Sequence, residues 1–197
     1  MILEGIVTTL DPSGEISISP MGTHVESETF EQFELKPYNT SHTYRNLKSR
    51  REGVLHVVDD VWLLARAAVG KVDAPTFAAK KVDGRVLKNA CHYYEFTVRE
   101  MDESAERTNI QAEVVHKGTI RPFFGLNRAK HAVVEAAILA TRISFLPLDE
   151  IRADYDRLAV LVQKTGGPDE CRAFDFLSSF IASKFQFDPE SPDQACR

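Results

Sequence analysis

The sequence predicts a mainly β domain followed by α-helices: about six short strands that suit a small barrel, then three helices. Three observations carry that reading. Apolar and polar residues alternate at period two through much of the first 120 residues. Clusters such as Asp11-Pro12-Ser13-Gly14 punctuate the alternation with turn chemistry. From Asn127 the apolar spacing lengthens to that of a helix and holds to about residue 185.

Residues 2–10 and 15–19 are apolar, β-branched runs joined by that first cluster. Proline second and glycine fourth mark a type I turn, and so a hairpin. Ile16 and Ile18 then share one face, with Ser17 and Ser19 on the other. Pro20-Met21-Gly22-Thr23 reads as a bend in which Gly22 lets the backbone approach something closely. Residues 30–35 form a third strand, and the odd spacing from Phe30 to Phe33 and Leu35 implies a bulge or a late start. A turn at Pro37 leads to a short helix over residues 41–50 and a buried strand over 54–58. Asp59 or Asp60 caps the next helix, VWLLARAAV, which Gly70 closes. Residues 71–88 are mixed and keep no period.

Residues 89–99 alternate again, with His92, Tyr94, Phe96 and Val98 opposite Cys91, Tyr93, Glu95 and Thr97. After a polar connection, Ile110, Ala112, Val114 and His116 line one face of residues 108–117, completing two long antiparallel strands. The helices follow over 127–144, 148–164 and 169–185, separated by Pro147 and by Gly166-Gly167-Pro168. The domains expected are a barrel over 1–125, a helical extension over 126–190 and a flexible tail over 191–197.

A chain of 197 residues fits one domain with a helical extension, and its 43% hydrophobic and 27% charged residues are ordinary globular composition. A net charge of −5 argues against a nucleic-acid binder that relies on a basic face, yet leaves room for one basic pocket around a phosphorylated ligand. Cys91, Cys171 and Cys196 are odd in number and lack metal-type spacing, which points to a reducing cytoplasm rather than a disulfide framework or zinc site. The start MILEGIVTTLDPSGE lacks the basic segment of a signal peptide, and no apolar run is long enough to cross a bilayer. A cytoplasmic protein with neither membrane nor nucleic-acid partner is expected.

The richest stretch for chemistry is residues 34–60, ELKPYNTSHTYRNLKSRREGVLHVVDD. Asn39, Thr40, Ser41 and Thr43 crowd the turn after Pro37 and the first helical turn. Their hydroxyls and amides can cap the free N–H groups of a helix start. The same N–H groups, at the positive end of the helix dipole, also suit a phosphate. Arg45, Lys48, Arg50 and Arg51 follow and raise the potential for an anion. Capping with a solvated basic helix is the commoner use of such residues; an anion site is the alternative.

On the helix NRAKHAVVEAAILATRI, Arg128, His131, Glu135, Leu139 and Arg142 fall on one narrow stripe, with Lys130 and Thr141 as further polar positions. So apolar a helix should be buried on more than one side, and its charges paired, with Glu135 as shared partner. One reading is a structural ion network, within the chain or across a subunit interface; the other has Arg128, Lys130 or His131 reaching a ligand while Glu135 orients them. His131 and Glu135 have metal-ligand spacing but no third partner. His56 reads as a half-buried strand histidine, Trp62 as core, and Glu26-Glu28 and Asp102-Glu103 as solvated loop charges. There is no Walker loop, dinucleotide glycine fingerprint or serine nucleophile elbow.

VTT, Ser19-Pro20-Met21-Gly22, KPYNTSHTYRNL, GVLHVVDD and the later NRAKHAVVEAAILATR, in that order, resemble the DUF447 family, whose members look like flavoproteins of the FMN-binding split-barrel superfamily. The match covers most of residues 2–69 and about 120–145. It implies a six-stranded Greek-key split β-barrel plus C-terminal helices, mainly β with α, which forms a homodimer and holds FMN at the subunit interface. It also implies that the helical extension packs on the barrel or at the dimer interface. By this similarity Thr40, Ser41, Thr43 and Asn46 are phosphate contacts, with Tyr38 and Arg45 beside them. Pro20, Met21, Gly22 and Thr23 would lie along the isoalloxazine, and Asn127, Arg128, Lys130 and His131 would come from the partner subunit. No catalytic acid or base carries over. Relatives occur beside genes of tetrahydromethanopterin-linked one-carbon metabolism, which is association and not mechanism. The function implied is an FMN-dependent oxidoreductase of unspecified substrate. The alternatives are a non-catalytic FMN-binding or assembly module, and a barrel that has exchanged flavin for another phosphorylated ligand.

Overall fold

The computed structural model describes residues 1–26 and 29–185; Glu28, Cys196 and the tail expected over 191–197 lie outside them. It divides into two compact units, Met1–Leu126 and Asn127–Arg197. The first holds β1 (Ile2–Leu10), β2 (Ile16–Val25), β3 (Gln32–Leu35), α1 (His42–Arg50), β4 (Glu52–Val57), α2 (Val61–Val69), β5 (Thr76–Ala78), β6 (Arg85–Leu87), β7 (His92–Asp102) and β8 (Asn109–Thr119). Six of these strands close an antiparallel barrel in the order β1-β2-β3-β8-β7-β4, as the resemblance implies.

The hairpin expected at Asp11 forms. Gly14 has a φ of 88°, its N–H donates to Asp11 O, and the Asp11 carboxylate accepts from the amides of Ser13 and Glu15. Those bonds hold the Asp11 carboxyl below its usual range, the Ser13 side chain contributing most. β3 makes the late start that the spacing allowed: Phe30 sits at φ 51° and stacks its ring on Tyr94 at 4.4 Å.

β2 departs from expectation. The bend at residues 20–23 is strand, with Pro20 opposite Ile6 and Thr23 opposite Leu3. A proline is tolerated there because β3 pairs only with His24 and Val25, so residues 16–23 have a strand neighbour on one side alone among the described residues. The unassigned residues 71–88 contain the β5–β6 ribbon, which packs Phe77, Ala79, Val82 and Val86 on Val54 and Tyr93 outside the barrel.

The barrel interior is filled by Val7, Val25, Phe33, Leu35, Leu55, Phe96, Val98, Ile110 and Ala112, and α1 contributes Leu47 to the same core. Two polar residues organise the outer layer. His56 is fully buried rather than half-buried; its Nδ1 lies 3.0 Å from Ile6 O and its Nε2 accepts from Leu87 N at 3.1 Å. Those contacts fix the tautomer with the proton on Nδ1. Glu95, also buried, accepts from the amides of Lys80, Lys81 and Val82 at 2.8, 2.6 and 3.3 Å, anchoring the β5–β6 loop.

In the second unit, α3 (Arg128–Thr141), α4 (Leu148–Thr165) and α5 (Pro168–Phe185) match the expected helices. α3 buries Ala129, Ala132, Val133, Ala136, Ala137 and Ala140, small residues that allow close helix packing. The phenol of Tyr155 on α4 donates to Ala136 O at 2.7 Å, and burial raises its pKa.

Candidate functional site

The corner after β3 is held in place by the β7–β8 connection. Thr108 N donates to Pro37 O at 3.0 Å, Asn39 N to Glu106 O at 3.1 Å, and Arg107 Nε to Lys36 O at 3.0 Å. The Arg107 guanidinium covers the Tyr38 ring, 4.9 Å from its centroid. From this seat Ser41 caps α1, its Oγ accepting from Tyr44 N at 3.1 Å while Arg45 N donates to Ser41 O at 3.2 Å. The amides of His42 and Thr43 are left without an acceptor among the described residues, as expected for the first turn of a helix. An Oγ that accepts one bond still has its own hydrogen to donate. The corner therefore offers two amides, the Ser41 hydroxyl and the exposed Thr40 hydroxyl at the positive end of α1.

The remaining sequence candidates here divide by burial. Tyr38, Thr40 and Arg45 are exposed, whereas Thr43 is 2% and Asn46 5% exposed. The Asn46 amide donates into the barrel, to Thr9 Oγ1 at 2.9 Å. Three of the four basic residues are committed elsewhere. Lys48 pairs with Glu103 at 2.8 Å, a bond that raises the lysine pKa and lowers that of Glu103. Arg50 binds Asp83 at 2.6 Å and Asp11 O at 2.7 Å; Arg51 binds the carbonyls of Val98 and Arg99. Arg45 is the basic side chain of α1 that has no partner among the described residues.

Strand alternation also divides the segment 20–23. Met21 packs on the barrel core and Thr23 is fully buried, its hydroxyl unpartnered among the described residues. Pro20 and Gly22 belong to the opposite face. A Cβ on Gly22 would meet Ile2 at 3.0 Å and Glu4 at 3.2 Å, so neighbouring side chains already make the close approach that the glycine permits.

In the second unit, the charged stripe of α3 faces solvent: Arg128, His131, Glu135 and Arg142 are exposed and form no ion pair among the described residues. Among the described residues of one chain Glu135 has no opposite charge beside it, so the network expected around it does not form within the chain. Lys130 instead pairs with Glu170 of α5 at 2.7 Å, and that carboxylate also accepts from Gly167 N at 2.8 Å. Burial opposes ionisation of Glu170, but these bonds outweigh it and lower its pKa. Asn127 is spent as well, capping α3 through Lys130 N and donating to Thr165 O at 3.0 Å. Arg128 and His131 are the members of that set with side chains uncommitted among the described residues.

Sequence reasoning missed Asp59 as an anchor. Asp60 is the cap of α2, accepting from Leu63 N at 2.9 Å. Asp59 binds the Arg121 guanidinium through both oxygens and accepts from Phe124 N at 3.0 Å, while Arg121 reaches Asn89 O at 2.9 Å. Burial, then the Asp59 charge, pushes the adjacent Cys91 thiol up. A doubled aspartate before a helix was the available signal, one residue serving as cap and the other spare.

A closed six-stranded antiparallel barrel with a short helix at the exit of its third strand, followed by helices, is a split-barrel fold with a helical extension. The chain belongs to the DUF447 family. The model described as "Protein of unknown function (DUF447) N-terminal domain" matches residues 3–121, and that described as "Protein of unknown function (DUF447)" matches residues 127–179. An FMN-bound DUF447 protein from Methanosarcina mazei is similar in structure, with a TM-score of 0.79 and 20% identity over 91% of this chain and 94% of that one. An FMN-binding protein from Thermus thermophilus, solved with 1-cyclohex-2-enone, has a TM-score of 0.53 at 16% identity, covering 60% and 70% of the two chains. The 2-nitrobenzoate 2-nitroreductase of Pseudomonas fluorescens has a TM-score of 0.51 at 16% identity, covering 59% and 64%. At such identities the likeness is one of fold. No curated protein matches the chain in sequence. Among the described residues no helix is long and apolar enough to cross a membrane.

Proposed function

We propose that the chain binds FMN and works as an FMN-dependent oxidoreductase, with the cofactor held between two copies of the chain. The observation that supports this reading most is the α1 corner, where the amides of His42 and Thr43 lack acceptors and the Thr40 and Ser41 hydroxyls stand beside them. These donors fit a terminal phosphate. Arg45 adds a positive charge, and Tyr38 adds an aromatic face. Thr43 and Asn46 act from behind, Asn46 by tying α1 to β1 through Thr9. Pro20 and Gly22 present backbone on the outer face of β2, and Arg128 and His131 are the α3 side chains free to meet a ligand of the partner copy. When bound, FMN supplies two-electron redox chemistry through its isoalloxazine ring, and the protein supplies orientation and access. The one-carbon setting of relatives suggests where an electron acceptor is to be sought.

Purified protein, or protein given FMN, should be yellow, bind FMN at micromolar levels, and run as a dimer in light scattering. Combining Thr40→Ala with Ser41→Gly should weaken FMN by a few kcal/mol, at ~1–3 per hydrogen bond to a charged group, and leave riboflavin nearly unchanged. Glycine is chosen at 41 because it keeps most of the capping stability. If riboflavin binds the unmutated protein as well as FMN does, the phosphate assignment is wrong. Anaerobic reduction with a panel of donors including NAD(P)H separates an enzyme from a module whose flavin stays oxidised.

A further inference from the structure

A second cavity lies in the barrel unit, between α2 and the segments on either side of the β5–β6 ribbon. It measures about 210 Å³ and is walled mainly by apolar groups, among them Leu63, Pro75, Leu87 and Ala90. Arg66 is its cation. The guanidinium carbon lies 4.9 Å from the centroid of the Trp62 ring, and both side chains line the cavity. Arg66 forms no ion pair among the described residues, and its buried Nε has no hydrogen-bond partner. Arg66 is half-buried, and leaving its buried Nε–H without an acceptor is costly, because such a donor forfeits its solvation.

Two carboxylates also line the cavity, and neither forms an ion pair with Arg66 among the described residues. Asp60 is occupied as the cap of α2, where the helix dipole already compensates it. Asp73 is exposed, and its charge acts on Lys71. The cavity opens to solvent on one side, and its enclosed part is small. Sites for drug-sized ligands run from about 300 to 1,000 Å³, so the enclosed part is too small to bury a whole flavin nucleotide. It equals the share of about seven waters at ~30 Å³ each, which suits one ring.

We propose that this cavity is a binding site for a single-ring aromatic carboxylate, with the ring between the apolar walls and the carboxylate on Arg66. The site is separate from the α1 corner and does not depend on the flavin reading.

Trp62 is the only tryptophan in the chain, so its emission reports on this cavity directly. The test titrates benzoate, with benzamide as the neutral counterpart, into the purified protein with and without added FMN. The expected result is a saturable change in emission at millimolar benzoate or below, with benzamide about tenfold weaker through loss of the charged partner. Arg66→Met, which keeps an unbranched side chain over the indole, should abolish that preference. Ala74→Leu, which fills the cavity while keeping Trp62 and Arg66, should weaken both probes. No saturable change up to about 10 mM, equal affinity for the two probes, or benzoate binding untouched by either substitution would overturn the proposal. A protein that fails to bind added FMN but binds benzoate leaves this site standing and removes the flavin; one that binds FMN but ignores benzoate does the reverse.

Discussion

His56 gives the protein a defined acid sensitivity. Burial pushes its pKa from an ordinary 6.5 down to about 4, opposed by the bond to Ile6 O. The folded chain therefore binds fewer protons than the unfolded chain between those two values. Stability from this group is complete above pH 6.5 and is lost as the pH falls toward 4. At 1.36 kcal/mol per tenfold, the whole interval is worth about 3 kcal/mol, and the part between pH 7 and 4.5 about 2 kcal/mol. His56→Gln removes the titration but keeps a side chain able to donate and accept between Ile6 and Leu87. Urea unfolding of both proteins at pH 7 and pH 4.5 should show the wild type losing about 2 kcal/mol more than the variant. An NMR titration of the wild type should leave the His56 ring neutral at pH 5.5, with its proton on Nδ1. Equal acid losses in the two proteins, or a ring that titrates near 6.5, would refute the reasoning.

Two further substitutions test the other polar anchors. Glu95→Gln replaces a buried carboxylate that accepts three amides with a group that has one accepting oxygen, so it should destabilise the barrel by about 2–4 kcal/mol. Urea unfolding measures that loss, and limited proteolysis at Lys80 or Lys81 should quicken as the β5–β6 loop loosens. Asp59→Asn breaks the two-oxygen grip on Arg121, whose partly exposed guanidinium keeps Asn89 O, at a cost of about 1–2 kcal/mol. Hydrogen exchange should then rise at Ile120, Arg121 and Phe124 while β7 stays protected; unchanged exchange there would remove Asp59 from the role assigned to it.

Much of this fold is legible in the sequence because local chemistry and burial agree. The alternation in β7 and β8, the hairpin at Asp11 and the caps Ser41 and Asp60 all appear where residue type demands them. What escaped did so for stated reasons. Pro20 reads as a break, yet β2 runs through it because, among the described residues, no strand lies on its far side to need the missing N–H. The β5–β6 ribbon is too short for its period to register, and it depends on Glu95, a tertiary contact that spacing cannot announce. At the α1 corner the sequence marked the cluster but not its division: strand and helix geometry turn Thr43 and Asn46 inward and leave Thr40 and Arg45 exposed and Ser41 half-buried. On α3, composition suggested paired charges, whereas the alanine face takes all the packing and solvent takes the stripe.

The half-bare margin of β2 has a consequence for the protein in crowded solution. A row of open peptide groups invites a stranger's extended backbone to lie alongside, the first step toward fibrous association. Pro20 leaves a gap in the row of donors in the middle of that margin, so a foreign strand docking there meets an interruption. The residue that disguised the strand in the sequence thus also makes it a poor template.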